Sequence, residues 1–188
     1  MPRRGRVESA KVGPSGRVPL GIADGSDPFT EFTLEHRASL VRLAYVITGD
    51  AYLAEDLVQG TLIKAYRFWD RVSAADSPRA YVRQILVREH LSWRRRMSSR
   101  EVVHPEPTIL VPPLVTQLPD HSAREEAWHL LATLPPKQRT VLALRYFDDL
   151  SDEDIATTMG VSAVTVRTNA SRGLATLRAR LQQTKDYI

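Results

Sequence analysis

The sequence predicts an all-α protein of two small helical domains, an N-terminal three-helix-type bundle and a C-terminal four-helix domain with a helix-turn-helix, joined by a proline-rich linker. Three observations carry that expectation. Apolar residues recur at spacings of three and four through both ends of the chain, the helical period. Five prolines fall between positions 102 and 120 and separate those ends. The stretch from Leu150 to Arg180 reads as a short helix, a glycine turn and a second helix.

Residues 1–28 hold five glycines and four prolines, with Arg3, Arg4, Arg6, Lys11 and Arg17 scattered among them and no periodicity. They are expected to form a disordered tail. The first helix starts near Phe29, with Leu40, Leu43, Ala44 and Ile47 on one face, and Gly49-Asp50 ends it. A second helix is expected from Ala51 to Trp69, burying Ala54, Leu57, Val58, Thr61, Ala65 and Phe68 or Trp69. Its opposite face shows Glu55, Asp56, Gln59 and Lys64. Ser77-Pro78 is a start signal for a third helix, serine as cap and proline in the first turn, where its missing N–H costs nothing. That helix extends to about Arg96, after the loop 71–76.

The third helix concentrates charge. Seven arginines (79, 83, 88, 94, 95, 96 and 100) face one acid, Glu89, with Tyr81, His90 and Trp93 interleaved. Cations that hold phosphate beside rings that stack on bases suit single-stranded or distorted nucleic acid. Residues 98–121 form the linker, whose Ile109-Leu110-Val111 and Leu114-Val115 are too apolar for a free spacer. In the C-terminal unit Trp128, Leu130, Leu131 and Leu134 mark a helix ending at Pro135-Pro136, and Val141, Leu142 and Leu144 mark another. Four helices in about 60 residues bury little apolar surface, so this unit is expected to be marginally stable alone.

In the helix-turn-helix, Ser151 caps a helix with three acids in its first turn, where the dipole favours them. Ile155, Ala156 and Met159 share a face. Gly160 takes the left-handed conformation that closes the helix. Ser162 caps the next helix, in which Val164 and Val166 are expected to pack inward. Arg167, Thr168, Ser171 and Arg172 are then the positions offered to a major groove. Arg178 and Arg180 lie further along and are expected at backbone phosphate or solvent.

The 188 residues carry a formal net charge of +4 and no cysteine, which excludes disulfides and thiolate metal sites. No apolar run approaches membrane-spanning length, so a cytoplasmic protein without membrane insertion is expected. Neither a phosphate-cradling glycine loop nor paired His-Glu-His spacing occurs, so no enzyme, cofactor or metal site is expected. A one-component transcription regulator with a single helix-turn-helix is the rival reading. It leaves the second basic helix and the Asp56-Leu57-Val58-Gln59 face unexplained.

Ala54-Glu55-Asp56-Leu57-Val58-Gln59, Leu134-Pro135-Pro136-Lys137-Gln138-Arg139 and Leu144-Arg145-Tyr146-Phe147 stand in the right order for a bacterial RNA polymerase sigma factor of the small extracytoplasmic-function group. Tyr81 through Arg96 is similar to an actinobacterial, sigma-E-like subgroup. The resemblance implies region 2 at residues 29–97, binding core polymerase and the minus-ten element. It implies region 4 at residues 122–182, binding the minus-thirty-five element, with a C-terminal tail at 183–188. It implies that Asp56, Leu57, Val58 and Gln59 dock on core RNA polymerase, and that Arg83, Arg88, Trp93, Arg94, Arg95 and Arg96 meet the melted strand. Gly60 replaces the usual acid after the glutamine, Arg88 stands where relatives often have asparagine, and Asn169, which the resemblance places with Arg167, Thr168, Ser171 and Arg172 at the minus-thirty-five element, stands where they often have arginine. Core polymerase, promoter DNA as duplex and melted strand, and an anti-sigma factor are the partners it implies.

Overall fold

The computed structural model describes residues 27–98, 128 and 130–185, and every structural statement below refers to them. Seven helices are α1 (Pro28–Thr48), α2 (Ala51–Arg67), α3 (Trp69–Ser73), α4 (Pro78–Ser98), α5 (Pro136–Tyr146), α6 (Asp152–Met159) and α7 (Ala163–Lys185). Trp128 and residues 130–132 are also helical, and no strand occurs among the described residues. Residues 1–26 of the expected tail and residues 99–121 of the expected linker lie outside the described residues.

Local chemistry sets the helix ends. Asp27 caps α1, its Oδ2 accepting from the Thr30 N–H, with Pro28 in the first turn. The helix therefore begins one residue inside the expected tail. Gly49 closes it at φ 73°, a conformation that a Cβ would strain. Asp50 caps α2 by accepting from the Leu53 N–H. Ala54, Val58, Thr61 and Ala65 form its buried stripe.

The chain leaves the helical path at Phe68, with φ −121°, one residue before the expected end of α2. It then re-enters a helix, so Arg71 to Ser73 belong to α3 and not to a loop. The break swings Trp69 back against Phe29 and Phe32, with ring centroids 5.2 and 5.3 Å away. Phe68 is left exposed. The Ser77 Oγ caps α4 by accepting from the Ala80 N–H.

The second unit is organised around α5. Arg139 to Leu144 are six consecutive buried residues, so this helix is enclosed on every side. It packs on α7 and α6, as a four-helix domain requires, and equally on α1 and α4. Leu142 and Leu144 join Val41, Ile47, Val82 and Leu86 in one continuous apolar cluster. The two units thus share a core, which a four-helix unit too small to bury enough surface alone gains from its neighbour. At the far end α7 continues to Lys185, three residues into the expected C-terminal tail.

Candidate polymerase and nucleic-acid surfaces

Asp56 and Gln59 are exposed on α2. At about 100° per residue, Tyr52, Asp56, Gln59, Ile63 and Tyr66 fall on one stripe. All five are exposed, so the polar pair sits within an apolar border. The border was legible as apolar residues out of phase with the buried stripe, but sequence reasoning missed it. Val58 does not belong to this face. It is 0% exposed and fills the core, because its register is that of Ala54, Thr61 and Ala65. Leu57 is half-buried. Gly60 is open, with nothing near the position a Cβ would take.

The six nominated positions on α4 do not form one surface, since a helix turns them to three sides. Trp93 and Arg96 line a cleft with Glu89 and His90 whose other wall is Asp56, Gly60 and Lys64 of α2. Lys64 and Glu89 bridge that cleft at 2.6 Å. Arg94 lies over the Trp93 ring at 5.8 Å. Arg94 and Arg95 face Pro135 to Gln138 and Asn169. Arg83 and Arg88 point at the helix-turn-helix instead.

His90 sits beneath this basic side, 3% exposed, with its Nε2 buried and unpartnered. Burial lowers its pKa from 6.5 to about 4, helped by the positive charges of Arg94 and Arg139. Arg139 is itself buried and lowered to about 10 by desolvation and by Arg94. Its guanidinium donates to the carbonyls of Ile47, Ala132 and Leu134. Ile47 lies in the last turn of α1 and Leu134 just beyond the helical residues 130–132, so the cation lies at carbonyls with no intrahelical partner.

The helix-turn-helix is built as its local signals dictate. The Ser151 Oγ accepts from the Asp154 N–H at 3.1 Å. Gly160 closes α6 at φ 68°, its N–H donating to the Ala156 carbonyl. The Ser162 Oγ accepts from the Thr165 N–H at 3.2 Å. Val166 is 0% exposed and Ala170 is buried against α6.

Arg167, Thr168, Ser171 and Arg172 are all exposed on α7. Val164 joins them at 64% exposure, contrary to the inward packing expected of it. Two residues turn a helix by about 200°, so Val164 and Val166 must face opposite ways. Asn169 is turned away from the others. Its Nδ2 donates to the Thr165 carbonyl at 2.8 Å, and the residue borders the cleft beside Arg94 and Arg95.

Two family matches cover these two regions separately: "Sigma-70 region 2" over residues 33–100 and "Sigma-70, region 4" over residues 124–177. The chain is 32% identical to an RNA polymerase sigma-E factor of Streptomyces avermitilis, over 82% of this chain and 85% of that protein. It is 31% identical to the extracytoplasmic-function sigma factor SigL of Mycobacterium tuberculosis, over 79% and 86%. The chain belongs to the extracytoplasmic-function sigma factors.

A sigma factor of this group binds core RNA polymerase and directs promoter recognition and opening. The fold agrees. The sigma factor RpoE of Bartonella quintana, solved in complex with the anti-sigma factor NepR, superposes with a TM-score of 0.69 at 25% identity, over 82% of this chain and 96% of that one. CnrH, solved with the cytosolic domain of CnrY, superposes with a TM-score of 0.56 at 20% identity, over 82% and 88%. Among the described residues no helix is long and apolar enough to cross a membrane.

Proposed function

We propose that three surfaces divide the work of this sigma factor. The exposed stripe of α2, with Asp56 and Gln59 between Tyr52 and Ile63, docks on core polymerase. Exposed aromatic and aliphatic side chains beside a polar pair offer a partner both apolar area to bury and groups to hydrogen-bond. The exposed side of α7, with Arg167, Thr168, Ser171 and Arg172, reads the upstream promoter element in the major groove. The arginines of α4, led by Arg83 and Arg88, hold the melted strand of the downstream element, and Trp93 borders the polymerase-facing cleft.

This assigns residues 29–97 to polymerase and the minus-ten element, and 122–182 to the minus-thirty-five element. Residues 98–121 join the two parts. Both solved neighbours are complexes with a second protein, and we extend to this chain an anti-sigma factor as partner. The cytoplasm, where polymerase acts, is its place of work.

The observation that carries the reading is the exposure of the α2 and α7 faces on opposite chemistries, one apolar-rimmed and one cationic. Reconstitution with purified core polymerase tests it. The full chain is expected to bind core stably and to give transcripts with defined starts from a subset of genomic fragments. Site-specific duplex binding with no association to core polymerase favours the one-component regulator instead.

A further inference from the structure

A cationic cleft of about 380 Å³ lies between α4, the start of α5 and α7. Leu91, Arg94 and Arg95 form one wall, Pro135, Pro136, Lys137 and Gln138 another, and Asn169 the third. Two arginines and a lysine line it, and among the described residues no carboxylate does. Arg94 and Lys137 form no ion pair among the described residues. The charge of Arg94 is felt by its neighbours instead. After burial itself, it is the next cause that lowers the pKa of His90 and of Arg139. The first turn of α5 has no acid and no side-chain cap, so its positive pole adds to the same field.

We infer that this cleft binds a nucleoside diphosphate, with its phosphates on Arg94, Arg95 and Lys137 and its ring system on the apolar wall. Charge gives the first argument. A terminal phosphate titrates near pH 6, so such a ligand carries about three negative charges at pH 7. The cleft meets them with three cations. Each guanidinium fork matches two phosphate oxygens, and the lysine adds a point charge.

Size and chemistry of the walls give the second. Small-molecule pockets run from about 300 to 1,000 Å³, and a lone inorganic anion leaves most of such a volume empty. Leu91, Pro135 and Pro136 offer a ring apolar surface to cover. Asn169 spends its Nδ2 on the Thr165 carbonyl, which leaves Oδ1 to accept from a ring amino group or a sugar hydroxyl. In a nucleic-acid strand sugars separate the phosphates, whereas a diphosphate brings both to the same cations. A ligand seated here engages Arg94 and Arg95 and therefore competes with single-stranded DNA. That consequence alone rests on the assignment of α4 to the melted strand.

Calorimetric titration of the full chain with ADP, GDP, inorganic pyrophosphate and sulfate, at one fixed ionic strength, tests the site. ADP or GDP is expected to bind about tenfold more tightly than pyrophosphate, and pyrophosphate about tenfold more tightly than sulfate. Lys137 is exposed, so Lys137→Gln removes the charge without opening the core. Lys137→Gln and Arg94→Gln are each expected to weaken ADP about tenfold, while Arg67→Gln, at an exposed arginine ending α2, leaves the affinity unchanged. ADP is also expected to raise the denaturation midpoint of the native chain and not that of the Lys137→Gln variant. Nucleotide affinity no higher than that of sulfate overturns the inference, as does an affinity that both cleft variants leave unchanged. Equal affinity for ADP and pyrophosphate overturns the placement of the ring. Saturating ADP is expected to weaken binding of a single-stranded non-template oligonucleotide several-fold, and an oligonucleotide that stays bound beside ADP overturns the competition. If the oligonucleotide does not bind at all, the assignment of α4 to the melted strand fails, and the calorimetry still decides the nucleotide site.

Discussion

Single residues show how neighbouring positions on one helix do different work. Val58 and Gln59 are adjacent, yet one fills the core and the other is exposed. Reading Val58 as a docking residue followed the motif at the expense of the helical period, which already placed it with Ala54 and Thr61. Gly60, by contrast, pays for its place in helix propensity and fills no space. Gly60→Ala is expected to stabilise the chain by about 1 kcal/mol in urea denaturation.

His90 makes a second prediction at this scale. Its pKa of about 4 lies below the ordinary 6.5, so the unfolded chain binds its proton first as pH falls. Stability from this group is whole above pH 6.5, declines as pH drops from there towards 4, and levels off below. At about 1.4 kcal/mol per unit, the loss is roughly 2 kcal/mol at pH 5. His90→Gln is expected to flatten that slope, as measured by denaturation midpoints at pH 7.5 and pH 5.

At the scale of elements, α6 and α7 were legible almost to the residue. Ser151, Gly160 and Ser162 act on their own backbone within a turn, so their effect needs no distant partner. The break at Phe68 was not legible, because it answers to Phe29 and Phe32, some 40 positions earlier in the chain. The face of α7 yields a prediction. A bidentate arginine–guanine pair discriminates by about 1–3 kcal/mol, and an apolar side chain contacts the thymine methyl. Arg167→Ala or Arg172→Ala is expected to relax specificity at one or two base pairs of the upstream element. Val164→Ala is expected to relax it at a thymine. Arg180→Ala weakens all sequences slightly and alike. A library of promoter variants measured with each mutant separates these patterns, and a uniform loss from all four removes base reading from α7.

For the whole molecule, the helical class, the two-unit order and the proline-rich stretch between them were all present in local pattern. The packing of the units on each other was not. Arg83 and Asp148 are 65 positions apart, and Arg88 binds main-chain carbonyls that no side-chain pattern announces. The run Thr140 to Leu144 was the available hint, since five residues without a charge suit a helix enclosed on all sides. The arrangement leaves two outward faces, and the central claim is that the α2 stripe is the one that meets polymerase. Transcription by core polymerase with the Asp56→Ala, Gln59→Ala double variant measures this directly. Promoter-dependent transcripts and core binding are expected to be lost, with an unchanged denaturation midpoint and unchanged affinity for upstream duplex. Full transcription by the double variant contradicts it.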